Sequence, residues 1–379
     1  VRWRIDVSAR NVPGEIHLTA GGDVRLLGRL RAAANGPAPQ ADGGTITVDA
    51  GASILSSGLR ARIRADGSPN TAGGVVTLTA GDGISLNGRV GASGRSGGNI
   101  TVFTSRGPIF VNEPLSAKGR GGKGGSIALL AVDGALTLSE RADAEGENRG
   151  GTIYLIGGRS VSTFADVRAG ADLVSGTGGA VTVASNGDIT VREPISVDGN
   201  TGGDIQALSN AGGLTTIAPL IARGKRGAGG MVMLRAGTFA TVDSNVDADG
   251  GSAGGAISLD GKTLALTNRG GMFARGDVGG TIEVSGDSVS VAPGAKMLVD
   301  GDTPGGRIRL AANAGDLTLS GSFRARGTNG GVIEGAASQN IVADGMFAAR
   351  GNGCIGLFAG LTLDVAGGDF DVPVAPTCP

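Results

Sequence analysis

The stretch GGAVTVASNGDITVREPISVDGNTGG, residues 178–203, spans one repeat of a pattern that recurs along the chain. A glycine pair precedes the alternating segment GAVTV; the similar segments GDITV and PISVDG then follow. Apolar residues at every second position predict short β-strands with one buried face, whereas helical spacing is absent. The repeat therefore predicts three short strands in one coil of chain.

The same pattern runs along almost the whole chain, with fourteen glycine-led strand starts at a mean spacing of about 26 residues. The starts are Gly14, Gly44, Gly74, Gly98, Gly125, Gly151, Gly179, Gly203, Gly230, Gly255, Gly280, Gly306, Gly331 and Gly353. A β-propeller blade needs four strands and roughly 40 residues. We therefore predict an all-β fold, a right-handed parallel β-helix (solenoid) of about 14 coils with three short strands per coil.

The composition agrees with many small stacked cores. The 379 residues include 74 glycines, and aromatic residues make up 3% of the chain while hydrophobic residues make up 40%. So few large side chains would fill one large core poorly, whereas stacked coils need only small ones. We expect glycine at the corners, where the chain turns through positive φ or closely approaches the next coil.

The charges are balanced. The chain has 33 basic and 34 acidic residues, for a net charge of −1, so we predict no nucleic-acid partner. No apolar run approaches the ~18 residues of a membrane span, and we predict no direct span. Because the chain begins at Val1 without Met, we expect a processed product or a fragment, preceded by further coils.

Equivalent positions of successive coils should lie above one another. The residue before the glycine that ends the third strand alternates in charge over six coils, in the order Asp198, Arg223, Asp249, Arg275, Asp300 and Arg326. Residues one and three positions earlier are mostly apolar, so these side chains should face outward. We predict a structural charge ladder in which each exposed pair contributes roughly 0.2–1 kcal/mol.

Arg275, Gly276 and Asp277 also form Arg-Gly-Asp, the tripeptide that many adhesive proteins present to receptors. The charge ladder explains why an arginine stands at position 275, and a corner of the coil explains the glycine at position 276. In a chain this rich in all three residue types, the motif has a high false-positive risk. We therefore treat the tripeptide as a secondary adhesive candidate beside its structural interpretation.

Several short motifs resemble catalytic or nucleotide-binding signatures. Residues 94–98 and 250–254 match G-x-S-x-G, which needs a histidine partner, but His17 is the single histidine and should face solvent. Residues 119–124, GRGGKG, precede a predicted strand, whereas the dinucleotide-binding fingerprint requires a helix. We predict no catalytic residue, no cofactor and no metal ligand.

The C-terminal residues depart from the repeat and carry both cysteines, Cys354 and Cys378. A disulfide would tie the last coil to the tail, contribute roughly 3–4 kcal/mol and indicate an exported protein; the alternative is two free thiols. We predict a solenoid over residues 1–353, of which 1–13 form a partial first coil or N-terminal cap. Residues 354–379 would form the last coil and a disulfide-tied C-terminal cap.

The repeat texture GGxIxL, GDIxV and I-A-(R/D)-G resembles bacterial surface β-helix proteins, namely filamentous-haemagglutinin-like exoproteins and autotransporter passenger domains. The resemblance covers nearly the whole chain but concerns repeat style, and no secretion-signature motif accompanies it. It implies an exported, extracellular or cell-surface protein with a structural or adhesive role, as a subunit of a larger assembly. The implied partners are other surface proteins, copies of itself or surface glycans.

The alternative function is that of a carbohydrate-active β-helix enzyme, a polysaccharide lyase or hydrolase. Glycoside hydrolysis needs paired carboxylates, and the acidic residues before the second strands, such as Asp188, Asp287 and Asp316, are spread over several coils. Three or more acidic residues converging in one groove would favour the enzyme.

Overall fold

A computed structural model describes residues 4–8, 14–34, 41–57, 61–172, 174–375 and 378. These residues contain no helix, and their parallel strands stack as a β-solenoid of about 14 turns. The predicted all-β solenoid is thus confirmed. The chain divides into two compact units, Val1–Gly199 and Asn200–Pro379.

The first unit repeats a long, a middle and a short strand, and equivalent strands of neighbouring coils pair in parallel. Its long strands are Glu15–Ala20, Thr45–Ala50, Val75–Ala80, Asn99–Thr104, Ser126–Ala131, Thr152–Gly157 and Ala180–Ser185. Its middle strands are Val24–Leu26, Ser53–Ser56, Gly83–Leu86, Ile109–Val111, Ala135–Leu138, Ser160–Thr163 and Ile189–Val191. Its short strands are Ile5–Asp6, Leu30–Arg31, Ile63–Arg64, Val90–Gly91, Leu115–Ser116, Ala142–Asp143, Val167–Arg168 and Ile195–Ser196.

The second unit has the same plan. Its long strands are Asp204–Ser209, Met231–Ala236, Arg307–Ala312, Val332–Ala337 and Cys354–Ala359, and the tail adds Val374–Ala375. Its middle strands are Leu214–Thr216, Phe239–Val242, Leu317–Leu319, Asn340–Ala343 and Thr362–Asp364. Its short strands are Leu220–Ile221, Asn245–Asp247, Gly271–Phe273, Lys296–Leu298, Ser322–Arg324, Met346–Ala348 and Asp369–Phe370.

In two coils of the second unit the long and middle strands are continuous, as Ala256–Leu266 and Thr281–Val291. The repeat predicts separate long and middle strands in every coil, so the structure differs here. Gly261 and Gly286 are paired in register where the two segments meet. A glycine lets the backbone bend at such a point without placing a side chain in the bend.

The core consists of inward side chains that stack from coil to coil. In the first unit Ile100 lies between Val76 and Ile127 in the strand register, and all three are buried. The residues between them along each strand face outward, as the alternating pattern predicts. Burial of an Ile or Val side chain stabilises the fold by roughly 1.5–3 kcal/mol, so each coil contributes several small increments.

Near its C-terminal end the second unit contains an aromatic stack. The ring centroids of Phe323 and Phe347, and of Phe347 and Phe370, lie 4.8 Å apart. Phe323 and Phe347 are fully buried. The stack places large apolar side chains behind the last three short strands of a chain otherwise poor in aromatic residues.

Close packing, more than positive φ, explains the glycines. Among the described residues, positive φ occurs at Gly330 and Gly351, at 76° and 84°. A β-carbon on Gly125 would lie 2.0 Å from the carbonyl oxygen of Gly98 in the preceding coil. The Gly125 N–H also donates to the Ala117 carbonyl oxygen at 2.7 Å, which closes the corner loop. The repeating glycines thus mark positions where neighbouring backbones touch.

The C-terminal residues lie along the last coil. Cys354 and Cys378 form the predicted disulfide, with Cα atoms 5.7 Å apart. Val374 pairs with Ile355 as part of a short parallel ladder. The disulfide therefore fastens the tail to the first residue of the last long strand.

At the N-terminal end, Ile5–Asp6 pairs with Leu30–Arg31. Residues 4–8 therefore supply the short strand of a coil that precedes the first glycine-led strand. The remainder of the predicted partial coil, residues 1–3 and 9–13, lies outside the described residues.

Candidate functional site

The short strands of the first unit form the floor of an open groove of about 690 Å³, which we call the short-strand groove. Its basic lining residues are Arg62, Arg64, Arg89, Lys118, Arg120 and Arg141. Its acidic lining residues are Asp66, Glu140, Asp143, Asp166 and Glu193. The strand alternation explains this placement, because in a short strand such as Ile63–Arg64 the first residue is buried and the second is exposed.

Most carboxylates of the groove already hold a cation. Asp66 Oδ2 lies 2.6 Å from an Arg64 nitrogen, and Asp166 Oδ2 lies 2.7 Å from an Arg168 nitrogen. Glu140 and Glu193 form no ion pair with a described residue. The groove therefore presents ion pairs with a few free charges of each sign.

The most buried of these carboxylates belongs to Asp143, whose side chain is 4% exposed. Lys118 Nζ donates to Asp143 at 2.7 Å and to Glu145 at 2.8 Å. Burial raises the pKa of Asp143, although the hydrogen bond and charge of Lys118 act in the opposite direction. Burial alone would lower the pKa of Lys118. The hydrogen bonds and charges of Asp143 and Glu145 raise this pKa by more, so its net shift is upward. The ion pair therefore favours the charged form of Lys118, but it does not outweigh the effect of burial on the pKa of Asp143.

One aromatic side chain lines the groove. Phe164 is 46% exposed, and the guanidinium carbon of Arg192 lies 5.2 Å from its ring centroid. An exposed aromatic face beside polar groups suits an amphipathic ligand such as a sugar ring.

A smaller pocket of about 220 Å³ adjoins the groove and shares Arg62 and Arg64 with it. With Leu30, five arginines line this pocket, and we call them the arginine strip: Arg4, Arg29, Arg31, Arg62 and Arg64. Sequence reasoning missed the strip because it followed the column of residues at the corner glycines. The signal lay in the position before the short strand, which Arg4, Arg29 and Arg62 occupy in three successive coils.

The predicted charge ladder can be followed within the second unit. Its members from Arg223 to Arg326 occupy the same position of successive coils, because each adjacent pair is linked by a backbone hydrogen bond of 2.7–3.2 Å. The donors are Gly224, Gly250, Gly276 and Gly301. Asp198 occupies this position in the last coil of the first unit, where its carbonyl oxygen accepts from Ala171 N–H at 2.7 Å.

The side-chain pairs of the ladder differ from a simple alternation. Arg275 Nε donates to Asp249 Oδ2 at 3.0 Å, as the ladder predicts. Asp300, however, is held by Arg324 Nε at 2.5 Å, and it accepts the backbone N–H of Arg326 at 3.0 Å. These aspartates therefore bind the backbone of the next coil as well as a guanidinium.

One more ladder arginine has its own partner. Arg223 Nε lies 3.7 Å from the carboxylate of Asp247, two residues before Asp249. Burial raises the pKa of Asp247, and the neighbouring Asp249 charge acts in the same direction.

In the Arg-Gly-Asp tripeptide, the arginine and glycine have structural contacts. The Arg275 guanidinium binds Asp249 and lies 5.2 Å from the ring centroid of Phe273. A β-carbon on Gly276 would lie 2.5 Å from the carbonyl carbon of Ala253. Asp277 is exposed. The first two residues of the motif therefore serve coil packing.

The other sequence motifs have ordinary surroundings. His17 is exposed, and the segment 119–124 leads into the strand Ser126–Ala131. Within the described ranges no group of three or more His, Cys, Asp or Glu side chains is arranged to hold a metal ion. No helix in the described part of the chain is long and apolar enough to cross a membrane.

No family model, curated protein or solved structure matches this chain.

Proposed function

We propose that the chain is a non-catalytic structural or adhesive protein, exported from a bacterial cell and displayed at the cell surface or outside it. In this role it resembles filamentous-haemagglutinin-like exoproteins and autotransporter passenger domains. Its partners are surface glycans, other surface proteins or copies of itself, and it forms part of a larger extracellular assembly. The disulfide supports export, because such bonds persist mainly in oxidising compartments.

The short-strand groove carries this proposal. The groove is open and has a volume of about 690 Å³. Three of its carboxylates form ion pairs with Arg64, Lys118 and Arg168. A charged groove with an aromatic edge is suited to holding a polar polymer. The stacked coils provide a rigid support for such a surface.

The test is to locate the protein in the organism that makes it. We expect externally added protease to remove it from intact cells, and electron microscopy of the native material to show it in an ordered surface assembly. Antibody labelling confined to the cell interior, with no signal outside the cell, would contradict the proposal.

One observation favours the enzymatic alternative. Five acidic residues line a single groove, and one of them, Asp143, has a raised pKa. A carboxyl that keeps its proton at higher pH is suited to act as a general acid. The assay is incubation with a panel of polysaccharides, followed by detection of new reducing ends or unsaturated sugars. Cleavage by the native chain that is lost in Asp143→Asn would establish the enzyme and refute the non-catalytic role.

A further inference from the structure

The arginine strip stacks like charges, in contrast to the charge ladder of the second unit. Arg31 and Arg64 are directly opposite in the parallel register of their short strands. The residues before these strands, Arg29 and Arg62, are also successive, because Leu30 N–H donates to the Arg62 carbonyl oxygen at 2.9 Å. Neighbouring strands lie only ~4.8 Å apart, and like charges directly opposite one another destabilise a sheet.

The carboxylates of the strip do not balance it. Asp6 binds Arg4 and lies 3.7 Å from Arg31, and Asp66 binds Arg64. Hydrogen bonds from Ser8 and Arg4 hold the pKa of Asp6 at about 2, although burial opposes them, so this carboxylate is fully ionised near neutral pH.

Two arginines of the strip have no such partner. The Arg29 and Arg62 side chains form no ion pair or hydrogen bond with a described residue. Among the described residues, Asp6 and Asp66 are the carboxylates that form ion pairs with arginines of the strip, which leaves an excess of positive charge around a pocket of about 220 Å³. Like charges that the described carboxylates do not balance are expected at a binding site, where a ligand supplies the missing charge.

We infer that the arginine strip binds an acidic polysaccharide, a sugar polymer that carries carboxylate or sulfate groups along its length. The inference deepens the proposed function, on which it rests, by naming the class of glycan. Guanidinium groups suit both anions because their planar donors pair with two oxygens at once. The repeat of the charges along the coil stack matches an extended polymer better than a single small anion.

The geometry extends the site beyond the strip. Arg62 and Arg64 line both the pocket and the short-strand groove, so a polymer bound to the strip continues toward Phe164. Nucleic acid is the competing polyanion. Single strands are held largely by successive bases stacked on aromatic side chains, whereas the described linings of the pocket and the groove contain one aromatic side chain, Phe164.

The test uses the full chain with dextran sulfate, polygalacturonate and duplex DNA as labelled probes, and unsulfated dextran as the matched neutral polymer. We expect both acidic polysaccharides to bind, with affinity that falls as salt rises, and dextran not to bind. The double variant Arg29→Gln/Arg62→Gln should bind about tenfold more weakly. Arg235→Gln/Arg269→Gln, which removes two exposed arginines from the second unit, should change the affinity less than about twofold.

Failure to bind either acidic polysaccharide would overturn the inference, and so would equal losses in the two double variants. Duplex DNA binding as tightly as dextran sulfate would identify the strip as a nucleic-acid site instead. Thermal melting of each variant shows whether it remains folded. A surface-displayed protein that binds no acidic polysaccharide would refute the inference alone. A polysaccharide-binding protein confined to the cell interior would refute the proposed function alone.

Discussion

At the scale of single residues, the glycines at equivalent positions of successive coils set how closely the coils approach one another. A β-carbon on Gly125 would meet a backbone oxygen at 2.0 Å, whereas one on Gly22 would meet no atom within 4 Å. We expect Gly125→Ala to lower the free energy of unfolding by about 3 kcal/mol, because backbone atoms cannot move aside as a flexible side chain can. The matched variant Gly22→Ala should change it by less than about 0.5 kcal/mol. Urea unfolding of both variants measures the difference; equal effects would show that crowding is not the cause.

Asp143 predicts a specific pH dependence of stability. Because burial raises its pKa in the folded chain, the folded state binds more protons than the unfolded state between the ordinary and the raised value. Stability contributed by this group is thus present at low pH and is lost as pH rises through the folded pKa. We expect Asp143→Asn to gain stability relative to the native chain as the pH rises above the ordinary aspartate pKa of about 3.9. A difference that stays constant over this range, after correction with Glu140→Gln, would contradict the assignment.

The tripeptide at Arg275–Asp277 leads to a third prediction. Asp277→Glu keeps the charge but lengthens the side chain, so it should weaken binding to any receptor that fits the aspartate closely. Because Arg275 is already bound to Asp249, we expect adhesion of this variant to cells to equal that of the native chain. An adhesion assay against immobilised protein measures this, with Asp302→Glu on the neighbouring coil as control. Selective loss of adhesion in Asp277→Glu would make the tripeptide a receptor site.

At the scale of elements, the disulfide holds the tail strand Val374–Ala375 against the last long strand. The cysteines are 24 residues apart, and closing a loop of this size is worth about 3 kcal/mol in the chain-entropy model. We expect Cys354→Ser/Cys378→Ser to lose about this much stability. A reducing agent should lower the unfolding free energy of the native chain and leave that of the double variant unchanged; no effect on the native chain would contradict the prediction.

The strands were predictable because each coil repeats the same alternation of inward and outward residues. Residues 203–215 illustrate this, because they contain the long strand Asp204–Ser209 and the start of the middle strand Leu214–Thr216. The short-strand groove was not predictable from the same pattern. It depends on side chains of six coils, including Arg62 and Glu193, and on corner loops whose lengths vary. The sequence also did not show which arginine pairs with Asp300. Arg324 and Arg326 lie 24 and 26 residues after it, and both spacings are close to one coil.

At the scale of the whole molecule, each coil has partners mainly in the coils before and after it. In such an array a local disturbance spreads only to near neighbours. After reduction of the disulfide we expect amide hydrogen exchange to speed up in residues 354–375, to change less toward the start of the second unit, and to stay unchanged in the first unit. Uniformly faster exchange along the chain would show instead that the protein unfolds as one cooperative body.

The strict strand register has an evolutionary consequence. Met231, Ala256 and Thr281 are partners in three successive coils, and each is 25 residues from the next. Duplication or loss of one complete repeat leaves every strand with a neighbour, whereas adding one residue inside a strand exchanges its inward and outward side chains. Genes for such a chain should therefore grow and shrink in whole-coil steps, with smaller length changes confined to the corners.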